Sequence, residues 1–195
     1  MSRRNVVLQL HTSLDGFADS KDGFVPIEDR PYWTALSKAL EHTGASEADT
    51  LLLGRGTYQQ FVRFWPKVAV DPKSPADWRA QAQGLHETPK IIFSKTLRRA
   101  DWNKSTIVRG DVGEEIARLK RRPGKNLLVP GGVDFPRTLI ERDLVDEYLL
   151  SVVPTIVGET RNRLFPRLPR PRNLHHVRSW TFPNGVTLHQ LRRAK

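Results

Sequence analysis

The stretch from Asn126 to Ile140, NLLVPGGVDFPRTLI, leaves a chain few ways to fold. Leu127, Leu128 and Val129 form a short continuous apolar run, the pattern of a strand covered on both faces. Pro130, Gly131 and Gly132 break that strand. Asp134 suits an N-cap, Pro136 suits a first helical turn, and Leu139 and Ile140 share a helix face with Phe135. The segment reads as strand, glycine turn, helix. Adjacent glycines let a backbone approach a ligand, and the free N–H groups of a helix start favour an anion such as a pyrophosphate. An ordinary β–α connection with nothing bound has the same pattern.

The unit recurs. Thr50 to Leu53 is a buried-type strand that ends in Gly54-Arg55-Gly56-Thr57, with a helix expected from Thr57 through Phe61. Lys90 to Phe93 is another, followed by Ser94-Lys95-Thr96, and Thr106 to Val108 is a short fourth. Val6 to Leu10 opens the series, and Val145 to Val153 is the longest strand. Asp29 with Pro31 starts a helix carrying Tyr32, Leu36, Ala39 and Leu40, and Asp111 caps one carrying Ile116 and Leu119. Prolines and charges make Phe64 to Pro75 a loop, and a short helix follows from Pro75 through Trp78 and Ala82 to about Gly84. Asn184-Gly185 between Val177–Phe182 and Val186–Leu191 is a hairpin signal. The expectation is one α/β domain over residues 1–195: a mixed, mainly parallel central sheet, helices on both faces and a C-terminal antiparallel hairpin.

Composition narrows the function classes. There is no cysteine, so disulfides and thiolate metal sites are excluded, and the acids and histidines show no metal-ligand spacing. His175 and His176 fall on opposite faces of a strand and do not form a metal pair. No apolar run approaches a membrane span, and Met1 to Asn5 lead into strand-like sequence without a secretory signal, so a cytoplasmic location is expected. The net charge of +11 attracts polyanions, but the basic residues are spread along the chain apart from a cluster at Arg161–Arg172. That spread favours a solvated surface or a small anionic ligand over a nucleic-acid groove.

Ligands of open α/β sheets gather beyond the carboxyl ends of the strands. Here one such end offers a guanidinium fork and a hydroxyl (Arg55, Thr57), a second hydroxyls and an ammonium (Ser94, Lys95), a third backbone donors (Gly131 to Asp134). A dinucleotide with several phosphates would use all three. The usual Rossmann fingerprint is absent, because the first strand runs into His11-Thr12-Ser13-Leu14-Asp15-Gly16.

The chain resembles the dihydrofolate reductase-like RibD C-terminal-domain family. The resemblance is carried by VVLQLHTSLDGF (Val6 to Phe17), ADTLLLGRGTYQQF (Ala48 to Phe61), TPKIIFSKTL (Thr88 to Leu97), Leu127 to Gly158, and Leu164-Phe165. It implies a dihydrofolate reductase-like fold, NADPH as cofactor and a homodimer. It implies that Gly54, Arg55 and Thr57 meet the cofactor phosphates, that Ser94 and Lys95 lie at the adenosine end, and that Gly131, Gly132, Val133 and Asp134 wrap the pyrophosphate. It places Ser13 to Gly23 over the nicotinamide and substrate. Dihydrofolate reductase proper holds its pterin with a carboxylate on the helix matching Arg30 to Thr43, and the early turns here carry none.

The expected activity is hydride transfer from NADPH to a small heterocyclic substrate, pterin- or pyrimidine-like and in one version phosphorylated; Arg161–Arg172 is a candidate clamp for that phosphate, against a solvated proline-stiffened loop or a subunit contact. Asp15 is the candidate proton donor or substrate ligand, against a turn-forming role before Gly16; His11 is a further candidate donor. Gly16, Tyr32 and Trp33 are candidate substrate contacts, the two aromatics by stacking, against plain helix-to-sheet packing. A dinucleotide sensor without catalysis, and a basic polyanion-binding protein on the same scaffold, are the alternatives.

Overall fold

In the computed structural model, the described residues are 4–18, 29–158 and 162–194. The elements are β1 (Val6–Ser13), α1 (Arg30–Leu40), β2 (Ala48–Gly54), α2 (Arg55–Val70), α3 (Ala76–Glu87), β3 (Lys90–Phe93), β4 (Ser105–Val108), α4 (Val112–Arg121), β5 (Asn126–Pro130), α5 (Asp134–Glu141), β6 (Glu147–Val153), β7 (Leu174–Thr181) and β8 (Thr187–Arg193).

The strands form one eight-stranded sheet in the order β4-β3-β2-β5-β1-β6-β8-β7. The first six are parallel to their neighbours, and β8 and β7 add on antiparallel beyond β6. Parallel strands must be covered on both faces, and alternate residues of β1 show how. Val6, Leu8 and Leu10 pack with Ile116 and Leu119 of α4 and Leu139 and Ile140 of α5. Val7 faces the other way, onto Tyr32, Leu36 and Ala39 of α1. Farther along that face Leu51, Leu53 and Ile92 pack with Tyr58 of α2 and with Trp102.

Two helix starts follow from their caps. The Asp29 carboxylate accepts from the Tyr32 amide, and Asp111 accepts from the amides of Gly113 and Glu114 at 2.8 and 3.1 Å. At α5 the expected cap is corrected. Val133 is the cap residue, no side chain caps the helix, and Asp134 is its first residue with a solvent-exposed carboxylate.

A second correction concerns Phe64–Val70, expected as loop but part of α2. Pro66 removes one N–H from the helical ladder. The helix continues because Phe64 and Trp65 pack on Trp78 of α3, with ring centroids 6.1 and 6.3 Å away. That burial outweighs the missing bond. α3 likewise runs on through Gly84 to Glu87.

β1 and β5 pair only from Val6↔Leu127 to Gln9↔Pro130, whereas β1 continues beside β6 to Ser13↔Val153. Beyond Pro130 the sheet therefore opens at its carboxyl end between β1 and β2.

Candidate functional site

The glycine turn after β5 and the glycine turn after β2 fold against each other. A β-carbon on Gly132 would lie 2.4 Å from Thr57 Oγ1, and one on Gly54 would lie 2.8 Å from Phe135 Cβ. Only hydrogen fits at either contact. Gly131 and Gly132 have φ of +86° and +89°, which L side chains rarely adopt. The juxtaposition brings the N-termini of α2 and α5 to the rim of one cleft of about 480 Å³. Gly54, Arg55, Thr57, Gly132, Val133 and Asp134 line it, all expected from the sequence.

Neither helix start has a side-chain cap, in contrast to α1 and α4. First-turn N–H groups that lack an internal acceptor, together with the positive ends of two helix dipoles, suit an anion. Arg55 is exposed on the rim, and its Nη1 donates to Thr96 Oγ1 at 2.9 Å. Phe93 and Phe135, stacked at 4.8 Å, give the cleft an apolar wall that sequence reading did not single out.

The other expected cofactor residues are placed differently. The Gly131 amide donates to the Gln9 carbonyl at 2.8 Å, so that donor is already used within the sheet. Ser94 Oγ accepts from the amides of Thr96 and Leu97 and closes its own turn. Lys95 is exposed and outside the cleft lining, though next to the Thr96 that Arg55 engages. Asp134 lines the cleft, and its solvent-exposed carboxylate is 3.8 Å from Arg137.

A second cleft, of about 520 Å³, lies on the α1 face of the sheet. Gln9 and Leu128 form its floor, Trp33, Leu36 and Leu40 one wall, Phe64, Trp65 and Trp78 the other. Gln9 ties the two sites together, because its carbonyl holds the turn that leads to Gly132. Trp65 was missed in sequence because Pro66 made its stretch read as loop, and Trp78, read as helical, had no partner to suggest a cleft. The density of aromatics there was the available signal.

Tyr32, expected to touch substrate, is only 1% exposed and packs in the core against Phe182, with ring centroids 5.2 Å apart. Its hydroxyl shares a 2.6 Å hydrogen bond with His11 Nε2. Burial pushes the Tyr32 phenol up to about 12 and the His11 imidazole down to about 4, so both are neutral near pH 7. Trp33, half-buried, is the aromatic of the pair that reaches a cleft.

Asp15 proves to be an anchor. One oxygen accepts from Ser13 Oγ at 2.6 Å and Val157 N at 3.1 Å, the other from Gly158 N at 2.9 Å. The Ser13 hydroxyl and these amides lower its pKa to about 2. A carboxylate so held is ionised at neutral pH and has no proton to donate, which corrects the proton-donor expectation. Around it, Leu14 N donates to Thr155 O and Leu164 N to Gly16 O, so the segment after β1 is clipped to the one after β6. Gly16 meets Phe165 here, with a φ of +83°. Asp19, Asp22 and Gly23 of the expected active-site loop lie outside the described residues.

Two arginines of the basic loop are engaged with the chain itself. Arg163 sits 5.6 Å over the Phe17 ring, and Arg172 donates to the carbonyls of Ile140 and Glu141 at the end of α5. Arg161 lies outside the described residues. Among the described residues no helix is long and apolar enough to cross a membrane.

Comparison with known proteins places this arrangement. The RibD C-terminal domain matches residues 4–188. The uncharacterized protein YyaP of Bacillus subtilis (strain 168) is 31% identical over 188 residues, which is 95% of this chain and 93% of YyaP. A second uncharacterized protein of that strain, YwjB, is 24% identical over 193 residues, covering 97% and 98% of the two chains. Among solved structures, a putative riboflavin biosynthesis protein from Shewanella sp. PV-4 superposes with a TM-score of 0.69 at 22% identity, over 98% of this chain and 99% of that one. A pyrimidine reductase-like protein from Corynebacterium diphtheriae superposes at 0.65 with 15% identity, over 98% and 92%. The fold is the dihydrofolate reductase-like α/β sheet of these relatives, and the chain belongs to the RibD C-terminal domain family.

Proposed function

We propose that this protein is an NADPH-dependent reductase acting on a small pterin- or pyrimidine-like heterocycle. One observation carries the reading: two uncapped helix N-termini and Arg55 surround a single cleft, in a sheet whose α1 face carries an aromatic-walled cleft floored by Gln9, the residue whose carbonyl holds the Gly131 turn. Bound NADPH would supply the hydride. The amides at Gly56, Thr57, Asp134 and Phe135 and the Thr57 hydroxyl would hold its phosphates, with Arg55 binding two oxygens at once at the rim. The close approach of Gly132 to Thr57 fits such a cradle, since any side chain on Gly132 would collide with the Thr57 hydroxyl and push the two turns apart.

The chain's own part is to bind, orient and exclude water. Gln9, on the floor of the aromatic cleft, would orient a ring by hydrogen bonding. The neighbouring His11–Tyr32 pair stays uncharged and adds no formal charge of its own to that region. The name of the pyrimidine reductase-like relative supports a ring substrate of that type. A homodimer belongs to the same proposal, because β7 ends the sheet with an unpaired outer edge.

Titration with NADPH while following tryptophan fluorescence tests the cofactor. Saturable binding is expected, weakened about tenfold or more by Arg55→Ala. No binding at millimolar NADPH overturns the proposal. Oxidation of NADPH by a panel of pterins and pyrimidines then separates a reductase from a sensor that only binds.

A further inference from the structure

The aromatic cleft carries a conclusion about its ligand that rests on the reading that substrate binds there. We infer that this ligand is a flat heteroaromatic without a phosphate, neutral or cationic, and that the cleft discriminates against a phosphorylated form of the same ring.

The walls argue for a ring. Phe64, Trp65 and Trp78 form a continuous aromatic surface, with successive ring centroids 5.1 and 6.3 Å apart, and Trp33 stands across from it on α1. Such faces stack planar heterocycles and attract cations through the negative side of their π systems. A space of about 520 Å³ holds a two- or three-ring system.

The charges argue against a phosphate. In a protein of net charge +11, no Lys or Arg is among the described residues that line this cleft, whereas two carboxylates, Glu41 and Asp77, are. A phosphate dianion needs guanidinium or ammonium partners to replace its water. The adjoining guanidinium, Arg30, is committed elsewhere. Its Nη2 donates to both Asp77 oxygens at 2.6 and 2.7 Å, its Nη1 is buried without a hydrogen-bond partner and away from the cleft surface, and the group lies 5.0 Å over the Trp78 ring. Turning it toward a phosphate would undo that pairing. Glu41, exposed among the lining residues, has no such partner among the described salt bridges. Arg163 and Arg172 of the basic loop serve main-chain carbonyls and a ring on other surfaces.

The test uses riboflavin and flavin mononucleotide, one ring without and with a phosphate, and proflavine, a flat cation. Each is titrated without NADPH, and tryptophan quenching reports binding. Riboflavin should bind at least about tenfold more tightly than the mononucleotide, with proflavine at least as tight as riboflavin. Glu41→Gln should weaken proflavine severalfold, and Glu41→Lys should bring the mononucleotide level with riboflavin. Equal or tighter binding of the mononucleotide by the unmodified protein overturns the inference, and so does failure of all three probes to bind. An NADPH titration of the same sample keeps the two readings apart. Normal NADPH binding with no discrimination between flavins sinks the inference alone; discrimination without NADPH binding sinks the reductase reading alone.

Discussion

Gly132 lies directly over Thr57, so close that a β-carbon on the glycine would fall 2.4 Å from the threonine hydroxyl oxygen. Through this contact the turn after β5 and the turn after β2 form a single anion-friendly rim.

Replacing Gly132 by alanine forces both an unfavourable φ of +89° and a collision. Gly131, with a φ of +86° and nothing within 4 Å of its added β-carbon, meets only the first penalty. Gly131→Ala should cost about 1–3 kcal/mol. Gly132→Ala should cost more and reduce NADPH affinity sharply. Chemical denaturation and cofactor titration of the two variants provide the comparison, and equal behaviour would contradict the close approach.

Asp15 should act as a clip and not as an acid. Its folded-state pKa is lowered to about 2 from 3.8, so its contribution is present above the unfolded value and lost as pH falls through the folded one. Asp15→Asn should raise hydrogen-exchange rates at Val157 and Gly158 while leaving the melting temperature nearly unchanged. Unaltered exchange at those amides would remove the clip.

His11 makes stability depend on pH. Its folded pKa of about 4 lies below the usual 6.5, so between these values the unfolded chain binds the proton more readily. Stability is therefore complete above pH 6.5 and falls as the pH drops toward 4. The loss should reach about 2 kcal/mol at pH 5. Urea unfolding at pH 7 and pH 5 measures it, and His11→Asn should flatten the difference.

Lys90 is fully buried, and its ammonium donates to the carbonyls of His86, Thr88 and Asn103 while lying 4.4 Å over the Trp102 ring. Lys90→Met keeps much of the volume but strands those carbonyls, which should cost about 3 kcal/mol. Lys90→Arg, too large for the space, should not rescue it. A loss within experimental error would mean that water replaces the ammonium.

Local patterns determined a good deal. Continuous apolar runs ending in glycine marked β2 and β5 as interior parallel strands, because only residues covered on both faces lack alternation. Asp29 and Asp111 announced their helices, since a cap acts on amides two or three residues away and needs no tertiary context. Arg55, Thr57 and Gly132 were legible as groups suited to an anion for the same reason.

Only the tertiary structure decided the rest. Pro66 breaks a helix on local grounds, yet α2 runs through it because Trp65 finds Trp78, a partner thirteen residues on. Tyr32 and Trp33 are adjacent and chemically alike, but the orientation of α1 buries one in the core and presents the other to a cleft. Asp15 looked like an acid until the chain after β6 brought the amides of Val157 and Gly158 to it. Sequence specifies what a residue can do within a few positions of itself. Which distant group it meets, and so whether a carboxylate anchors or a glycine cradles, depends on how the sheet is ordered.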